Sequence, residues 1–446
     1  MISDAAAPLK PRRTPLAEVT GAFLRLGLTS FGGPVAHLGY FRNAFVDQRK
    51  WLDDREYADL VALCQMLPGP ASSQVGMGLG MRRAGLPGLF AAWVTFTLPS
   101  AIVLTLFALG LSAIGSVGDA GWLLGLKAAA VAVVAGAVKS MAQSLTPDPT
   151  RASIAGLALI LLLIVPGSLV PTAVVQVAAI VLGAVAGLLW LRPKPSPAGQ
   201  AAAEVSTAQS EPAPTEPSAD AAHTGSSAPA AVPSTATAKL GSRASRRLGV
   251  SALIAFIVLL LGLPTLAAAT GDATIRLIDI FYRAGALVFG GGHVVLPLLE
   301  AELVPTGLVD HDTFLAGYGA AQAVPGPLFT FAAFLGASMT TGPTGILGAG
   351  IALLAIFLPA GLLVVGILPF WERLRAWEPA TAALTGVNAA VVGLLGAALY
   401  DPVFAEGITS PATLALAVAA FIAGTMWEVP AWATVIGAGV LGWLLL

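Results

Sequence analysis

Apolar residues run along the chain in blocks of roughly 18–25, the length that crosses a bilayer core as a helix, with glycine, proline and polar breaks between them. Ten-residue blocks of alternating polarity, the mark of a membrane barrel strand, are absent from the sequence. The pattern predicts helical spans over about 88–111, 121–143, 152–166 and 169–191, and another over about 250–268. The stretch 193–248 breaks the pattern. It is rich in Ala, Pro, Ser and Thr and has too little apolar surface to offset its ordering entropy, so a disordered cytoplasmic linker is expected there. The units on either side are 16–192 and 249–446, the second with one additional leading transmembrane helix. Residues 1–15 form a polar tail without the apolar core of a signal peptide.

The two units repeat each other. "FLRLGLTSFGG" (23–33) aligns with "FYRAGALVFGG" (281–291), placing Arg25, Gly32 and Gly33 on Arg283, Gly290 and Gly291. Further on, "LDDREYADLVALCQMLPGP" (52–70) aligns with "VDHDTFLAGYGAAQAVPGP" (309–327). Asp53, Gln65, Pro68, Gly69 and Pro70 fall on Asp310, Gln322, Pro325, Gly326 and Pro327, then Pro99 on Pro359 and Lys127 on Asn388. Chance likeness between apolar stretches would not keep this order, so the chain reads as a duplication.

Loop charges orient the copies. Loop 39–55 carries Arg42, Arg49, Lys50 and Arg55, whereas its counterpart 300–313 has Glu300, Glu302, Asp310 and Asp312 and no Lys or Arg. Arg82 and Arg83 face the uncharged "TTGPT" (340–344), and the uncompensated loop 112–120 matches 370–378 with Arg373 and Arg375. Because Lys and Arg favour the cytoplasmic side, the expected arrangement is two homologous halves as inverted repeats. The tail cations Lys10, Arg12 and Arg13 and loop 39–55 then share the cytoplasmic side. That makes 16–38 a re-entrant, broken segment.

The breaks carry the candidate chemistry. Pro68-Gly69-Pro70 interrupts an apolar run, and Pro70 suits the first position of a helix over 70–84. The first N–H groups of that helix lack intrahelical partners and, with the dipole, favour an anion. Ser72 and Ser73 add hydroxyls, and Thr330 does so in the second unit. Discontinuous helices meeting between inverted repeats hold substrate in many secondary transporters; the plainer reading of the same motif is a turn between short helices. Gly32, Gly33, Gly290 and Gly291 either present N–H groups to an anion or allow close helix packing. Arg25, Arg283 and Lys127 are costly charges in apolar surroundings, suited to gripping an oxyanion or to snorkelling and helix pairing. Asp53, Glu56 and Asp310 read as caps or gate ion pairs.

Composition narrows the class. Of 446 residues, 56% are hydrophobic and 11% charged, with a mean hydropathy of +0.83, far from the roughly 25% charge of soluble domains. The net charge of −1 offers no basic field for nucleic acid. A single cysteine, Cys64, excludes an intrachain disulfide, and the four histidines show no metal-binding spacing. No nucleophile–base pair emerges, so an enzyme is not expected, and neither is a cofactor.

"FGGP" in the first half, "PGP" in each, and the relatedness of the two halves resemble the chromate ion transporter family, in its long two-domain bacterial form; the second half departs at Gly292 for Pro34. The resemblance implies a multi-pass inner-membrane protein that exports chromate and confers resistance to it. It also implies sulfate as an alternative tetrahedral dianion. The expected partners are that dianion and the bilayer, with a homodimer allowed. The substrate contacts carried forward are Arg25, Gly32, Gly33, Gln65, Pro68, Gly69, Pro70, Ser72, Ser73, Lys127, Arg283, Gly290, Gly291, Gln322, Pro325, Gly326, Pro327, Thr330 and Asn388.

Overall fold

The computed structural model describes residues 14–114, 120–165, 169–191, 243–289, 292–371 and 377–446. Gly290, Gly291, Arg373, Arg375, the tail cations Lys10, Arg12 and Arg13, and linker residues 193–242 lie outside the described residues. The described part is helical, and no strand occurs in it.

The first unit contains α1 (Pro15–Thr29), α2 (Gly33–Phe41), α3 (Asp54–Met66), α4 (Ala71–Ile114), α5 (Gly121–Leu145), α6 (Pro149–Ile164) and α7 (Thr172–Trp190). After the leading helix α8 (Arg243–Thr270) come α9 (Ala273–Leu287), α10 (Val295–Leu303), α11 (His311–Ala323), α12 (Phe331–Ala337), α13 (Gly345–Ile367), α14 (Glu378–Ala398), α15 (Pro411–Met426) and α16 (Ala431–Leu445). Helix α8 begins inside the stretch expected as linker. Arg and Ala are strong helix formers and carry the helix beyond its apolar segment.

Among the described residues, six helices are long and apolar enough to cross a membrane: Ala71–Ala113, Gly121–Leu145, Thr172–Trp190, Ser245–Thr270, Gly345–Phe370 and Glu378–Gly407. The block expected to span at 152–166 is α6, which at 16 residues falls in a shorter apolar class with α15 and α16. Helices α1 (15 residues) and α3 (13 residues) rise only about 20 Å and stop at the sequence breaks. Helix α4 bends at Ala84 and Gly85 (φ 67°), so the helix expected over 70–84 is its first arm. Asp53 caps α3 in a capping box with Glu56, and Asp310 caps α11 by accepting from Thr313 N–H.

The units exchange helices. Helix α5 packs on α15 and α16 of the second unit, and its counterpart α14 packs on α6 and α7 of the first. Gly121 and Gly125 lie against Gly442 and Ala438, so α5 and α16 run antiparallel; Gly187 and Gly183 lie against Ala382 and Ala390, so α7 and α14 do the same. Lipid supplies no hydrophobic drive to such pairs, and close backbone contact through small residues holds them. A smaller core joins α1, α2, α3 and the start of α4, with Phe23 stacked on Phe45 at 4.9 Å and Phe41 edge-on to Phe96 at 5.2 Å. Helix α8 packs on α9 and α13 and leaves Ile254, Val258 and Leu261 exposed.

A Cβ at Gly386 would sit 2.0 Å from Gly183 O, whereas one at Gly350 would meet nothing within 4 Å. Gly386→Ala is therefore expected to destabilise the fold by about 1–3 kcal/mol, the cost of overpacking. Gly350→Ala is expected to leave it unchanged or slightly more stable. Thermal midpoints of the purified variants in detergent test the contrast, and equal midpoints would refute the close approach of α7 and α14.

Candidate functional site

Each Pro-Gly-Pro break turns at its glycine. Gly69 (φ 114°) and Gly326 (φ 104°) hold left-handed backbone that a Cβ would strain. Their amides leave their own units: Gly69 N–H donates to Val288 O at 2.7 Å, and Gly326 N–H donates to Ser30 O at 2.8 Å. Ser30 and Val288 are matched positions, the C-caps of α1 and α9 just ahead of each Phe-Gly-Gly. The break of each unit is thus pinned to the helix end of the other.

Beyond the first break, Gln74 N–H is the first to reach a helical carbonyl, Pro70 O at 2.9 Å, so the amides of Ala71, Ser72 and Ser73 precede the ladder. The side chain of Gln74 reaches back, its Nε2 donating to Pro68 O at 2.7 Å. His37 on α2 is buried beside them. Its Nε2 lies 3.2 Å from Ser30 O and its Nδ1 3.3 Å from Ser72 Oγ. A carbonyl can only accept, so the proton belongs on Nε2 and Nδ1 accepts from the Ser72 hydroxyl. Ser30 O therefore takes hydrogen bonds from both His37 and Gly326. Near the two breaks, Ser30 Oγ, Ser73 Oγ, Gln74 Oε1 and Gln322 Nε2 are buried without a hydrogen-bond partner. Native proteins rarely leave such atoms unpaired, and a bound group is one reason they do.

The second break differs. A 3₁₀ turn, Leu328–Thr330, precedes α12, and Thr330 spends both its N–H (3.0 Å) and its hydroxyl (2.8 Å) on Pro327 O. Gly32 (φ 100°) and Gly33 (φ 77°) separate α1 from α2, and Pro34 packs beside Gly292 of the other unit. Pro68 and Pro325 are half-buried, Pro70 and Pro327 buried, and Ser72 and Ser73 fully enclosed. Gln65 is exposed on α3, and Asn388 is half-buried on α14.

Of the three cations expected to grip the substrate, two are held in ion pairs and one is exposed. Arg25 is exposed on α1. Arg283 is occupied, with two nitrogens on Asp279 (3.0 and 2.9 Å) and a third on Glu302 (2.9 Å). Lys127 is buried, 3% exposed, and pairs with Asp312 across the units. Asp312 sits at the start of α11, about 18 Å of helix rise from the break at Val324. The junction therefore offers neutral donors: helix amides, serine hydroxyls and side-chain amides. Sequence reading missed Ser30, His37 and Gln74. Each is a polar residue beside a break in an apolar run, which is the signal that points to them. The repeat comparison hid Ser30 and His37, because their matches are Val288 and Val295.

The sequence profile described as Chromate transporter matches residues 17–188 and 275–443. The chain belongs to the chromate transporter family. The matched blocks are the two repeats, and they leave out the linker and α8. The chain is 28% identical over 467 residues to the "Chromate transport protein" of Pseudomonas aeruginosa, covering 99% of this chain and 95% of that one. It is 27% identical over 391 residues to the "Probable chromate transport protein" of Synechococcus elongatus (86% and 84% covered). The "Chromate transport protein" of Cupriavidus metallidurans is 27% identical over 390 residues (86% and 82% covered). No solved structure matches the chain. Members of this family are transporters rather than enzymes, and the apolar helices make this chain a multi-pass membrane protein.

The Lys127–Asp312 pair gives a stability prediction. Lys127→Ala is expected to cost about 2 kcal/mol, below the ~3–5 kcal/mol of a fully buried pair because Asp312 is 39% exposed. Removing Asp312 as well is expected to recover part of that loss. Additive losses in thermal midpoint for the two variants would show that the pair carries no coupling.

Proposed function

We propose that this chain is a secondary transporter that exports chromate across the bacterial inner membrane, conferring chromate resistance, by alternating access of two oppositely oriented units. The carrying observation is the reciprocal pinning of each Pro-Gly-Pro glycine to the other unit, beside a helix start with unpaired amides and a buried, unpartnered Ser73 hydroxyl. A tetrahedral dianion accepts hydrogen bonds on every face and fits a donor-rich junction of this kind. The Ser73 hydroxyl and the amides that follow Pro70 favour the first unit as the holder of more of the anion, because the Ser72 proton is committed to His37 and Thr330 to its own turn. Gly32, Gly33, Gly69, Pro70, Gly326 and Pro327 shape the junction; Lys127 and Arg283 are neutralised in their own ion pairs, and Arg25, unpaired among the described residues, is the one of the three cations that adds net positive charge. The flipped loop charges and the exchanged, antiparallel helices support opposite orientation of the units.

Energetics favour outward movement. A dianion leaving a negative interior gains about 4.6 kcal/mol at 100 mV, a gradient on the order of a thousandfold, so the membrane potential suffices as a driving force. Because the junction donors are neutral, they recognise tetrahedral geometry and charge rather than the central atom. Sulfate is therefore the second reading.

Chromate flux into proteoliposomes at a set potential, with sulfate as competitor, tests the proposal. Saturable, potential-driven chromate flux is expected. An absence of chromate movement in either direction would sink the chromate reading, and unsaturable ohmic current would make the protein a channel. Ser73→Ala is expected to lower chromate flux about tenfold with the fold intact, the scale of one lost charge-assisted hydrogen bond. In a Cys64→Ala background, cysteines placed singly in 39–55 and 300–313 are expected to label from opposite sides, and same-side labelling would end the inverted-repeat proposal.

A further inference from the structure

A slot on the membrane-facing side of α5 is built unlike the junction. At its mouth, α5, α15 and α16 enclose a cavity of about 360 Å³ whose polar lining is Lys139, Ser140, Gln143, Thr425 and Thr434. Ala132 and Phe421 line this cavity and also a second one of about 460 Å³, so the two adjoin. The second is almost wholly apolar, formed by Val131, Ala135, Leu414 and Val418 among others. The slot is polar at one end of the helices and greasy toward their middle. From Gln143 to Val131 it extends about 18 Å along α5, close to the thickness of one leaflet.

The polar end lies at a membrane surface by its aromatic content. The α15–α16 turn beside it exposes Trp427 (79%), a residue type that favours the headgroup region. Lys139 has no ion pair among the described residues. Glu428, in the same turn, is exposed and does not reach it. The cavity thus combines an uncompensated cation, hydroxyls and an amide with an acyl-sized groove.

We propose that this slot binds one anionic phospholipid, with its phosphate on Lys139 and an acyl chain along the groove between α5 and α15. The charge selects the headgroup and the groove selects a lipid over a free ion. The slot shares no lining residue with the transport junction and does not depend on the substrate assigned there. A lipid bound here bridges the first unit's α5 to the second unit's α15 and α16, which suits it to tune how the units move.

Native mass spectrometry of the full chain in detergent tests this, with phosphatidylglycerol, phosphatidylcholine and inorganic phosphate added in separate runs. Phosphatidylglycerol is expected to be retained about fivefold over phosphatidylcholine, the ratio equivalent to roughly 1 kcal/mol for one lysine near an anionic surface. Lys139→Gln is expected to abolish that preference. Val418→Trp, which fills the groove from its exposed side, is expected to reduce retention of both lipids at an unchanged thermal midpoint. Equal retention of the two lipids, an undiminished preference in Lys139→Gln, or retention of inorganic phosphate without lipid preference would each overturn the proposal.

Discussion

Two backbone hydrogen bonds, Gly69 N–H to Val288 O and Gly326 N–H to Ser30 O, hold the centre of this protein together. Each answers the same constraint. A helix broken inside a membrane frees amides and carbonyls that lipid cannot satisfy, at several kcal/mol apiece. Here the group freed by one unit's break is satisfied by the helix end of the other. Neither unit can close its own break in this way, so the halves need each other at the level of the main chain. The exchange of α5 and α14 between the units extends the same dependence to the helices around the junction.

The junction also explains the form its polarity takes. Charged side chains would be costly at the meeting of four helix ends, and two of the cations in the membrane part are instead neutralised locally. Arg283 is held by Asp279 and Glu302, and Lys127 by Asp312. What remains at the breaks is a set of neutral dipoles aligned by the chain itself: helix-start amides, the Ser73 hydroxyl, and Gln74 tied to Pro68 O. His37 fixes the geometry by bridging Ser30 O and Ser72, so the first break, the first Phe-Gly-Gly and the second break share one hydrogen-bonded network. Donors of this kind bind an oxyanion and release it without a fixed charge to trap it. That property matches a carrier of chromate better than it matches a tight binding protein.

The two copies have diverged where the network is densest. The first keeps a regular helix start with two serines and a histidine, whereas the second closes its start with a 3₁₀ turn, buries Leu328 and Phe329, and consumes Thr330 internally. In the second unit His293 pairs with Tyr318 at 2.8 Å, linking the stretch after Phe-Gly-Gly to α11 rather than to the helix start. The pseudo-symmetry of the backbone therefore survives with an asymmetric set of donors.

The sequence by itself determined the class, the duplication and the breaks. Hydropathy and low charge demand membrane helices, the order of matched motifs demands two copies, and Pro-Gly-Pro and Phe-Gly-Gly stop helices through their own covalent geometry. These are local properties, legible without a fold. Which polar groups end up spent and which remain available was decided by the tertiary structure. Lys127 looks like a free cation until α11 brings Asp312 to it, Arg283 gains Glu302 from α10 beyond its local partner Asp279, and Arg25 looks buried until α1 turns it outward. Ser30, His37 and Gln74 look incidental until the second unit delivers Gly326 to the same carbonyl. Pairing between residues distant in the chain depends on how helices cross, and no single segment encodes that crossing.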